Sequence, residues 1–507
     1  MLIQVKDISL HYGTREILDE VNCTFSYDQK IGVIGRNGAG KSTLCKIIIG
    51  EEEADEGSVN FSSELRLAYL EQKDPFKPEE IVLDFLSRYS GALDWECCKM
   101  AASFGLDLDS VYGPISALSG GYQMRVKLTA MLLKDPNFLI LDEPTNYLDL
   151  NTLLFLERFL QGYDGSYLIV SHDREFLKKT CDHTLEVERG KAFLYKGDVE
   201  AYFEYKELKA SQVDSFNKNV EKKKEHLQSF VDRFGSKASK AASAQSKLKQ
   251  IAKLKTIEIG HPLSTVKIKL PIVPVKKGLA LETHALAIGY PNKRVAGKIS
   301  LQVTKGQHVA ILGDNGQGKT TFLKTITEDL APLEGKFEWG HGVTVGYYAQ
   351  HVFQRLNDKM NVYECLESLA HKDTHRQVIL DMAGSFLFSG DEVKKKVSVL
   401  SGGERARLCL AGLLLSRCDV LLLDEPTNHL DFETVEALAG ALQEYNGTVL
   451  FISHDRTFVN VVASSIIEVK DGKVQLYPGI YEDYVYHLQT LMEEQLGPGS
   501  GPKKKKG

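Results

Sequence analysis

One ordered set of short motifs occurs twice along these 507 residues, and that duplication restricts the chain to folds built from two copies of one domain. The first copy reads Gly35-Arg-Asn37-Gly38-Ala-Gly40-Lys41-Ser42-Thr43, then Leu118-Ser119-Gly120-Gly121, then Asp142-Glu143-Pro-Thr-Asn-Tyr147-Leu-Asp149, then Ser171-His172-Asp173. The second reads Gly313-Asp-Asn315-Gly316-Gln317-Gly318-Lys319-Thr320-Thr321, then Leu400-Ser401-Gly402-Gly403, then Asp424-Glu425-Pro-Thr-Asn-His429-Leu-Asp431, then Ser453-His454-Asp455. Lys41 to Ser119 spans 78 residues and Lys319 to Ser401 spans 82, while Asp142 to His172 and Asp424 to His454 both span 30. Spacing is kept together with identity, which chance matches in glycine-rich turns do not do.

The length accommodates two large domains with connecting matter, and 43% hydrophobic residues can fill their cores. No run of about 18 apolar residues occurs, so the sequence predicts no membrane span. The start, Met1-Leu-Ile-Gln-Val-Lys6, lacks the charged and apolar pattern of an export signal, so a cytoplasmic location is expected. The eight cysteines form no CxxC pair and predict reduced, buried thiols. A net charge of −6 hides a local inversion: Tyr205 to Lys255 carries thirteen Lys or Arg against five Asp or Glu, and Arg233 to Lys255 carries seven cations and no anion.

Strands and helices alternate through residues 1–205 and again through 276–490, the order of a parallel α/β core with a loop between strand and helix. Between them, 206–275 is rich in Lys, Gln, Ala and Glu, with Leu227, Phe230, Val231 and Phe234 at helical offsets. The pattern predicts a basic helical hairpin broken near Gly235. Residues 491–507, ending in Lys503–Lys506, read as a flexible basic tail.

GxxxxGK[ST] between a strand and a helix presents backbone N–H groups and a helix N-terminus to phosphate oxygens. Lys41 and Lys319 would reach the β and γ phosphates, and Ser42 and Thr320 would ligate Mg²⁺. An apolar strand ending in Asp-Glu supplies a second metal contact, Asp142 or Asp424, and a general base, Glu143 or Glu425. His172 and His454 would meet the γ-phosphate or the attacking water as neutral imidazoles. Gln72 and Gln350, each just after an aromatic strand, suit amides that sense metal and water. Ser-Gly-Gly at the head of a helix is a further anion site, and one phosphate satisfies both it and the lysine loop if the two domains pair.

These motifs resemble the ATP-binding cassette ATPases, an α/β fold with two P-loop cassette domains here joined by a helical-hairpin linker. The resemblance implies a head-to-tail pair within one chain, so that the protein works as a monomer. One ATP would lie among Gly35, Asn37, Gly38, Gly40, Lys41, Ser42, Thr43, Gln72, Asp142, Glu143 and His172 with Ser401, Gly402 and Gly403 opposite. The other would lie among Gly313, Asn315, Gly316, Gly318, Lys319, Thr320, Thr321, Gln350, Asp424, Glu425 and His454 with Ser119, Gly120 and Gly121 opposite. Tyr12 and Tyr290 match the aromatic that stacks on adenine. Both sites keep the acidic base, so both are expected to hydrolyse ATP.

Two fused cassettes, DEPTN-x-LD in both and a charged linker together are similar to the ABC-F family of ribosome-associated ATPases. That likeness implies binding at the ribosomal tRNA exit site, against rRNA and peptidyl-site tRNA, with Arg233, Lys237, Lys240, Lys247 and Lys249 as RNA contacts. Gly235 and Lys247 depart from the family's more usual basic residue and arginine at those places. The interval from Gln72 to Ser119 is 47 residues against 51 from Gln350 to Ser401, so no extra arm is expected in the first cassette. A linker of about 70 residues favours a housekeeping translation factor over antibiotic protection of the ribosome. The rival from another class is the ATPase subunit of a membrane transporter, which would need a coupling surface rather than a cationic linker; a DNA-associated structural ATPase would bring a long coiled coil or zinc motifs.

Overall fold

Lys30–Ile34 and His308–Leu312 are short apolar runs buried on both faces, the pattern of a central parallel strand. Each lies inside a six-stranded sheet of the computed structural model, which describes every residue except 71–74, 147, 235–245, 248, 252–253, 255–267, 274–276, 350–355, 389, 429 and 497–507. In the first repeat the strand order is Leu67–Leu70, Phe138–Asp142, Ser166–Val170, Lys30–Ile34, His183–Glu188, Lys191–Tyr195, parallel except for the last. The second repeat has the same order: Val345–Tyr348, Val420–Asp424, Thr448–Ile452, His308–Leu312, Ser465–Lys470, Lys473–Tyr477. Parallel strands share a carboxyl edge, which is where α/β sheets place their ligands. Because Ile34, Asp142 and Val170 end neighbouring strands, the loop, the acidic pair and the histidine of one repeat meet there.

A smaller antiparallel sheet covers each parallel one. Ile3–Tyr12 pairs with Arg15–Phe25 and Glu56–Phe61, and Leu279–Tyr290 pairs with Lys293–Ile299, Gln302–Thr304 and Glu334–Trp339. Ile3, Val5, Leu18 and Phe25 pack with Ile31, Val33, Leu44 and Phe138 into one core, and the corresponding residues do so in the second repeat. A helical layer built from Val82–Ser90, Asp94–Ser103 and Gly120–Leu132 carries its own core of Phe85, Leu86, Ala101 and Val126.

The chain divides into two compact units, Met1–Lys196 with Lys267–Gly507, and Gly197–Val266. Both repeats therefore belong to one unit. The other contains a 36-residue helix, Val199–Phe234, with Val220 and Leu227 buried seven residues apart. Its first turn is capped by Asp198, whose Oδ1 accepts from the N–H of Ala201 at 2.8 Å. Of the second arm, 246–247 and 249–251 are helical among the described residues, and Gly235 lies outside them.

Two boundaries drawn from composition fall inside helices. The linker helix starts at Val199, ahead of residue 206, because the Asp198 cap sets its beginning while the charge pattern shows only its middle. The tail boundary at 491 lies within the helix Tyr481–Leu496, which the buried Tyr481, Tyr484 and Leu488 hold against the rest of its unit; residues 497–507 lie outside the described ones. All eight cysteines are free, six of them buried. No helix among the described residues is long and apolar enough to cross a membrane.

A candidate nucleotide site between the repeats

The loop after Ile34 begins at Gly35 with φ of 146°, where an added Cβ would lie 2.2 Å from the carbonyl oxygen of Val187. It ends at Gly40 with φ of 102°, a left-handed residue from which the helix Lys41–Ile49 starts. Gly313 and Gly318 take the same conformations ahead of Lys319–Ile326. Each loop curls around its own lysine: Lys41 Nζ donates to the carbonyls of Gly35 at 2.7 Å and Arg36 at 3.1 Å, and Lys319 Nζ to those of Gly313 at 2.6 Å and Asp314 at 3.1 Å. Burial lowers the pKa of both lysines, against the pull of Glu143 and Glu425.

Beside each loop stands the acidic pair. Ser42 Oγ donates to Asp142 Oδ1 at 3.1 Å, and Thr320 Oγ1 to Asp424 Oδ1 at 3.3 Å. Glu143 and Glu425 have φ of 50° and 52°, a left-handed conformation that costs a non-glycine residue about 1–2 kcal/mol. The cost is characteristic of functional positions, and here it turns each carboxyl away from its strand toward a histidine. His172 Nε2 lies 3.2 Å from Glu143 Oε1, and His454 Nε2 lies 3.2 Å from Glu425 Oε1. Burial pushes both glutamates up to about 8, only partly offset by Lys41 and Lys319. Burial, helped by the same lysines, pushes both histidines down to about 3. Burial thus favours the neutral form of both the carboxyl and the imidazole.

These shifts set a pH dependence. The glutamates hold their proton more tightly folded than unfolded, so the stability they contribute is complete below about pH 4.5 and is lost as pH rises through about 8. The histidines act oppositely: their contribution is complete above about pH 6.5 and is lost as pH falls toward 3. Between about pH 7 and 9 the nucleotide-free protein is expected to lose about 1 kcal/mol of unfolding free energy per glutamate. Denaturant unfolding at both pH values should show this loss in the native sequence and a flatter profile in Glu143→Gln/Glu425→Gln; equal profiles would contradict the assignment.

The two repeats meet at a cavity of about 790 Å³, within the range of small-molecule sites, about 300–1,000 Å³. Asn37, Gly38, Gly40, Lys41, Ser42, Thr43, Glu143 and His172 line it from the first repeat, and Ser401, Gly403, Glu404, Glu425 and His454 from the second. At the opposite seam, Asp149 Oδ2 accepts from the N–H of Asn315 at 3.1 Å and Asn151 Nδ2 donates to Asp314 Oδ1 at 2.7 Å. Thr152, in the first turn of the helix Leu150–Gln161 that Asp149 caps, abuts Gly121, whose added Cβ would lie 2.1 Å from Thr152 Oγ1. Ser119–Gly121 is thereby tied through Thr152 and Asp149 to the loop that leads into Lys319, Thr320 and Thr321.

Charges also bridge the seam. Arg36 Nη2 pairs with Glu433 Oε2 at 2.9 Å, the place equivalent to Asp314 and Asn151 on the other side. Arg456 of the second repeat is buried and bound to Glu157 of the first, with Asp173 at 3.9 Å. Burial opposes its charge, but Asp173 and Glu157 more than compensate and raise its pKa. Asp455, beside it, is pushed up to about 7 by burial and then by Asp173. None of these bridging residues stands out in the sequence; the only signal was that Asp149 and Asp431 close the DEPTN-x-LD motif and that Arg174 and Arg456 follow the SHD motif in both copies.

Among the described residues, the remaining expected ones stand outside the wall of that cavity, Tyr12 with the lining residue Thr43 against its hydroxyl. Tyr12 is 51% exposed with its hydroxyl on Glu52, and Tyr290 is 47% exposed. Arg15, not Tyr12, lines the loop end of the cavity and donates to the Gly38 carbonyl at 3.3 Å. Gly316 has φ of 81°, and Gly120 and Gly402 begin the two signature helices. Gln72, Gln350, Tyr147, His429, Lys237 and Lys240 lie outside the described residues, as does the side chain of Arg233. Lys247 Nζ donates to Gln250 Oε1 at 3.3 Å, and Lys249 is exposed.

The donor set fits a magnesium nucleotide. Glu143 Oε2 is buried in the cavity wall without a hydrogen-bond partner, an arrangement costly unless a ligand or water engages it. Ser42 with Asp142, and Thr320 with Asp424, offer two oxygen ligands each. Mg²⁺ takes few protein ligands and completes its shell with phosphate and water, so one hydroxyl and one carboxylate per site suffice.

Two strand-loop-helix units that present lysine, acidic pair and histidine toward a partner's Ser-Gly-Gly helix define a tandem ATP-binding cassette protein. A family profile described as ABC transporter matches residues 18–146 and 296–428, and a second with that description matches 185–268. The chain is 36% identical over 547 residues to the putative ATP-binding protein YdiF of Bacillus subtilis, covering 97% of this chain and 83% of that protein. It is 32% identical over 535 residues to the probable ATP-binding protein YheS of Escherichia coli K12, with 99% and 84% covered. It is 32% identical over 544 residues to ABC transporter F family member 5 of Arabidopsis thaliana, with 97% and 78% covered. The chain belongs to the ABC-F family of tandem-cassette ATPases. Among solved structures, it shares its fold with the archaeal ribosome recycling factor aABCE1 in complex with the stalk protein aP1, at TM-score 0.63, 22% identity, and 95% and 92% coverage. A ribosome-bound archaeal Pelota–ABCE1 assembly gives TM-score 0.59 at 23% identity, with 99% and 84% covered.

Proposed function

We propose that this chain hydrolyses ATP at two sites shared between its cassettes, and that the ATP-closed form binds the ribosome. The observation that carries this reading is the single cavity holding Lys41 and the Glu143–His172 pair on one side and Ser401 on the other. Lys41 and the loop N–H groups bind the β and γ phosphates, and Ser401 grips the γ-phosphate from across the seam. Glu143 takes a proton from water as the water oxygen bonds to the γ-phosphorus and the β–γ bridging P–O bond breaks, releasing ADP and phosphate. His172, held neutral, orients Glu143 through its Nε2. Ser42 and Asp142, or Thr320 and Asp424, would hold Mg²⁺, which would supply positive charge to the phosphate oxygens. Lys319, Glu425, His454 and Ser119 act alike at the second site.

ATP selects the closed conformation because it binds both halves at once, and hydrolysis removes that preference. We assign residues 1–205 and 276–490 as the cassettes and the intervening basic segment as the RNA-facing element, working as a cytoplasmic monomer at the tRNA exit site against peptidyl-site tRNA. Family membership supports this reading, as do the ribosomal contexts of the aABCE1 structures and the seven cations without an anion from Arg233 to Lys255. Phosphate contacts make binding salt-dependent, by about 0.7–0.9 in log–log slope per contact.

The test is co-sedimentation of Glu143→Gln/Glu425→Gln with ribosomes at rising salt, with ATP. Retention that weakens with salt, and a shallower slope when Arg233, Lys237, Lys240, Lys247 and Lys249 are replaced by Ala, is expected. ATP-independent absence from the ribosome pellet would exclude this function, and co-purification with membranes would favour a transporter subunit.

A further inference from the structure

The two helices that offer their N-termini to phosphate differ at their third residue, Tyr122 in one and Glu404 in the other. The helix Gly402–Leu415 begins with a capping box: Glu404 Oε2 accepts from both the N–H and the hydroxyl of Ser401, each at 2.8 Å, and the N–H of Glu404 donates to Ser401 Oγ at 3.3 Å. The helix Gly120–Leu132 has Tyr122 at the matching place, and Ser119 makes no side-chain cap hydrogen bond. Tyr122 lies under the guanidinium of Arg125, 4.9 Å from its ring centre, so this helix start carries a cation and no carboxylate.

A carboxylate in the first turn neutralises the positive end of a helix, and one that also accepts the serine hydroxyl competes with phosphate for it. Glu404 is held ionised despite its burial, through the N–H and hydroxyl of Ser401. It lines the same cavity as Lys41, Ser42 and the unpartnered Glu143 Oε2, so its charge faces the place where phosphate is expected. The seams differ in the same sense: Asp149 already reaches the N–H of Asn315 on the Lys319 side, whereas Asp431 Oδ2 is buried without a hydrogen-bond partner on the Lys41 side.

We propose that Glu404 makes the two nucleotide sites unequal, occupying Ser401 and weakening the Lys41 site, so that ATP loads first at the Lys319 site, which Ser119 and Tyr122 serve. This rests on the shared-site reading above. Glu404 is a positioning residue: ATP must draw the Ser401 hydroxyl away from it before the Lys41 site can close.

The experiment titrates a fluorescent ATP analogue with Mg²⁺ into full-length protein that already carries Glu143→Gln/Glu425→Gln. Adding Lys319→Ala leaves the Lys41 site to be read, and adding Lys41→Ala leaves the Lys319 site. Glu404→Gln keeps the cap geometry without the charge; it is expected to tighten binding about fivefold in the Lys319→Ala protein only. Tyr122→Glu is expected to weaken binding by about the same factor in the Lys41→Ala protein only. Unchanged or weaker binding on Glu404→Gln in the Lys319→Ala protein overturns the proposal, as does an indifferent Tyr122→Glu. If Glu404→Gln instead acts in the Lys41→Ala protein, each serine serves its own cassette, and the shared-site reading itself fails.

Discussion

ATP turnover by Glu143→Gln/Glu425→Gln is expected to fall by about 10²–10⁴-fold, the usual worth of a general base. Nucleotide binding should survive, because glutamine keeps the shape of the side chain and removes only its ability to take a proton. Both positions have the same geometry: a left-handed backbone, a histidine nitrogen at 3.2 Å and a pKa raised to about 8 by burial. Steady-state phosphate release compared with binding of the same nucleotide separates the two effects. Turnover reduced less than about tenfold would remove the glutamates from the role of base.

Breaking the buried Arg456–Glu157 pair is expected to destabilise the protein by about 3–5 kcal/mol. Arg456 and Glu157 keep only 4% and 6% of their side-chain surface exposed, so removing the glutamate leaves a guanidinium without solvent to receive it. The related pair across the seam, Arg174 with Glu436, keeps 25% and 47%, and its loss is expected to cost about 1 kcal/mol or less. Glu157→Ala and Glu436→Ala compared by denaturant unfolding test this contrast. The double replacement Arg456→Met/Glu157→Leu should recover most of the loss, since an apolar pair of similar volume avoids the desolvation that the ion pair must offset. Equal effects at the two pairs would mean that burial does not set the energetics of this seam.

Local chemistry was readable in the sequence because it is written in neighbouring residues. GxxxxGK[ST] specifies its own loop, since glycine alone accepts φ near 146° with the Val187 carbonyl where a Cβ would stand. The apolar strand before Asp142-Glu143 likewise announces a buried strand with carboxyls at its end. The bridges from Arg36 to Glu433 and from Arg456 to Glu157 join residues 397 and 299 positions apart, and no local pattern marks either partner. The left-handed backbone of Glu143 escapes for a related reason: its N–H is fixed by Val170 on the neighbouring strand at 2.8 Å, not by its own segment. The helix ends at Val199 and Leu496 do not coincide with the composition boundaries at 206 and 491, because charge composition changes gradually while a helix begins and ends at single residues. The difference between Glu404 and Tyr122 was visible as letters, but its meaning depends on which loop faces each helix.

Whether each ATP is held by both cassettes, as proposed, can be seen in a cryo-electron microscopy structure of the ATP-saturated Glu143→Gln/Glu425→Gln protein. Two nucleotides are expected, one touching Lys41 and Ser401 and the other touching Lys319 and Ser119. Two nucleotides each bound by one cassette alone, with the opposing serine out of hydrogen-bond reach, would contradict it.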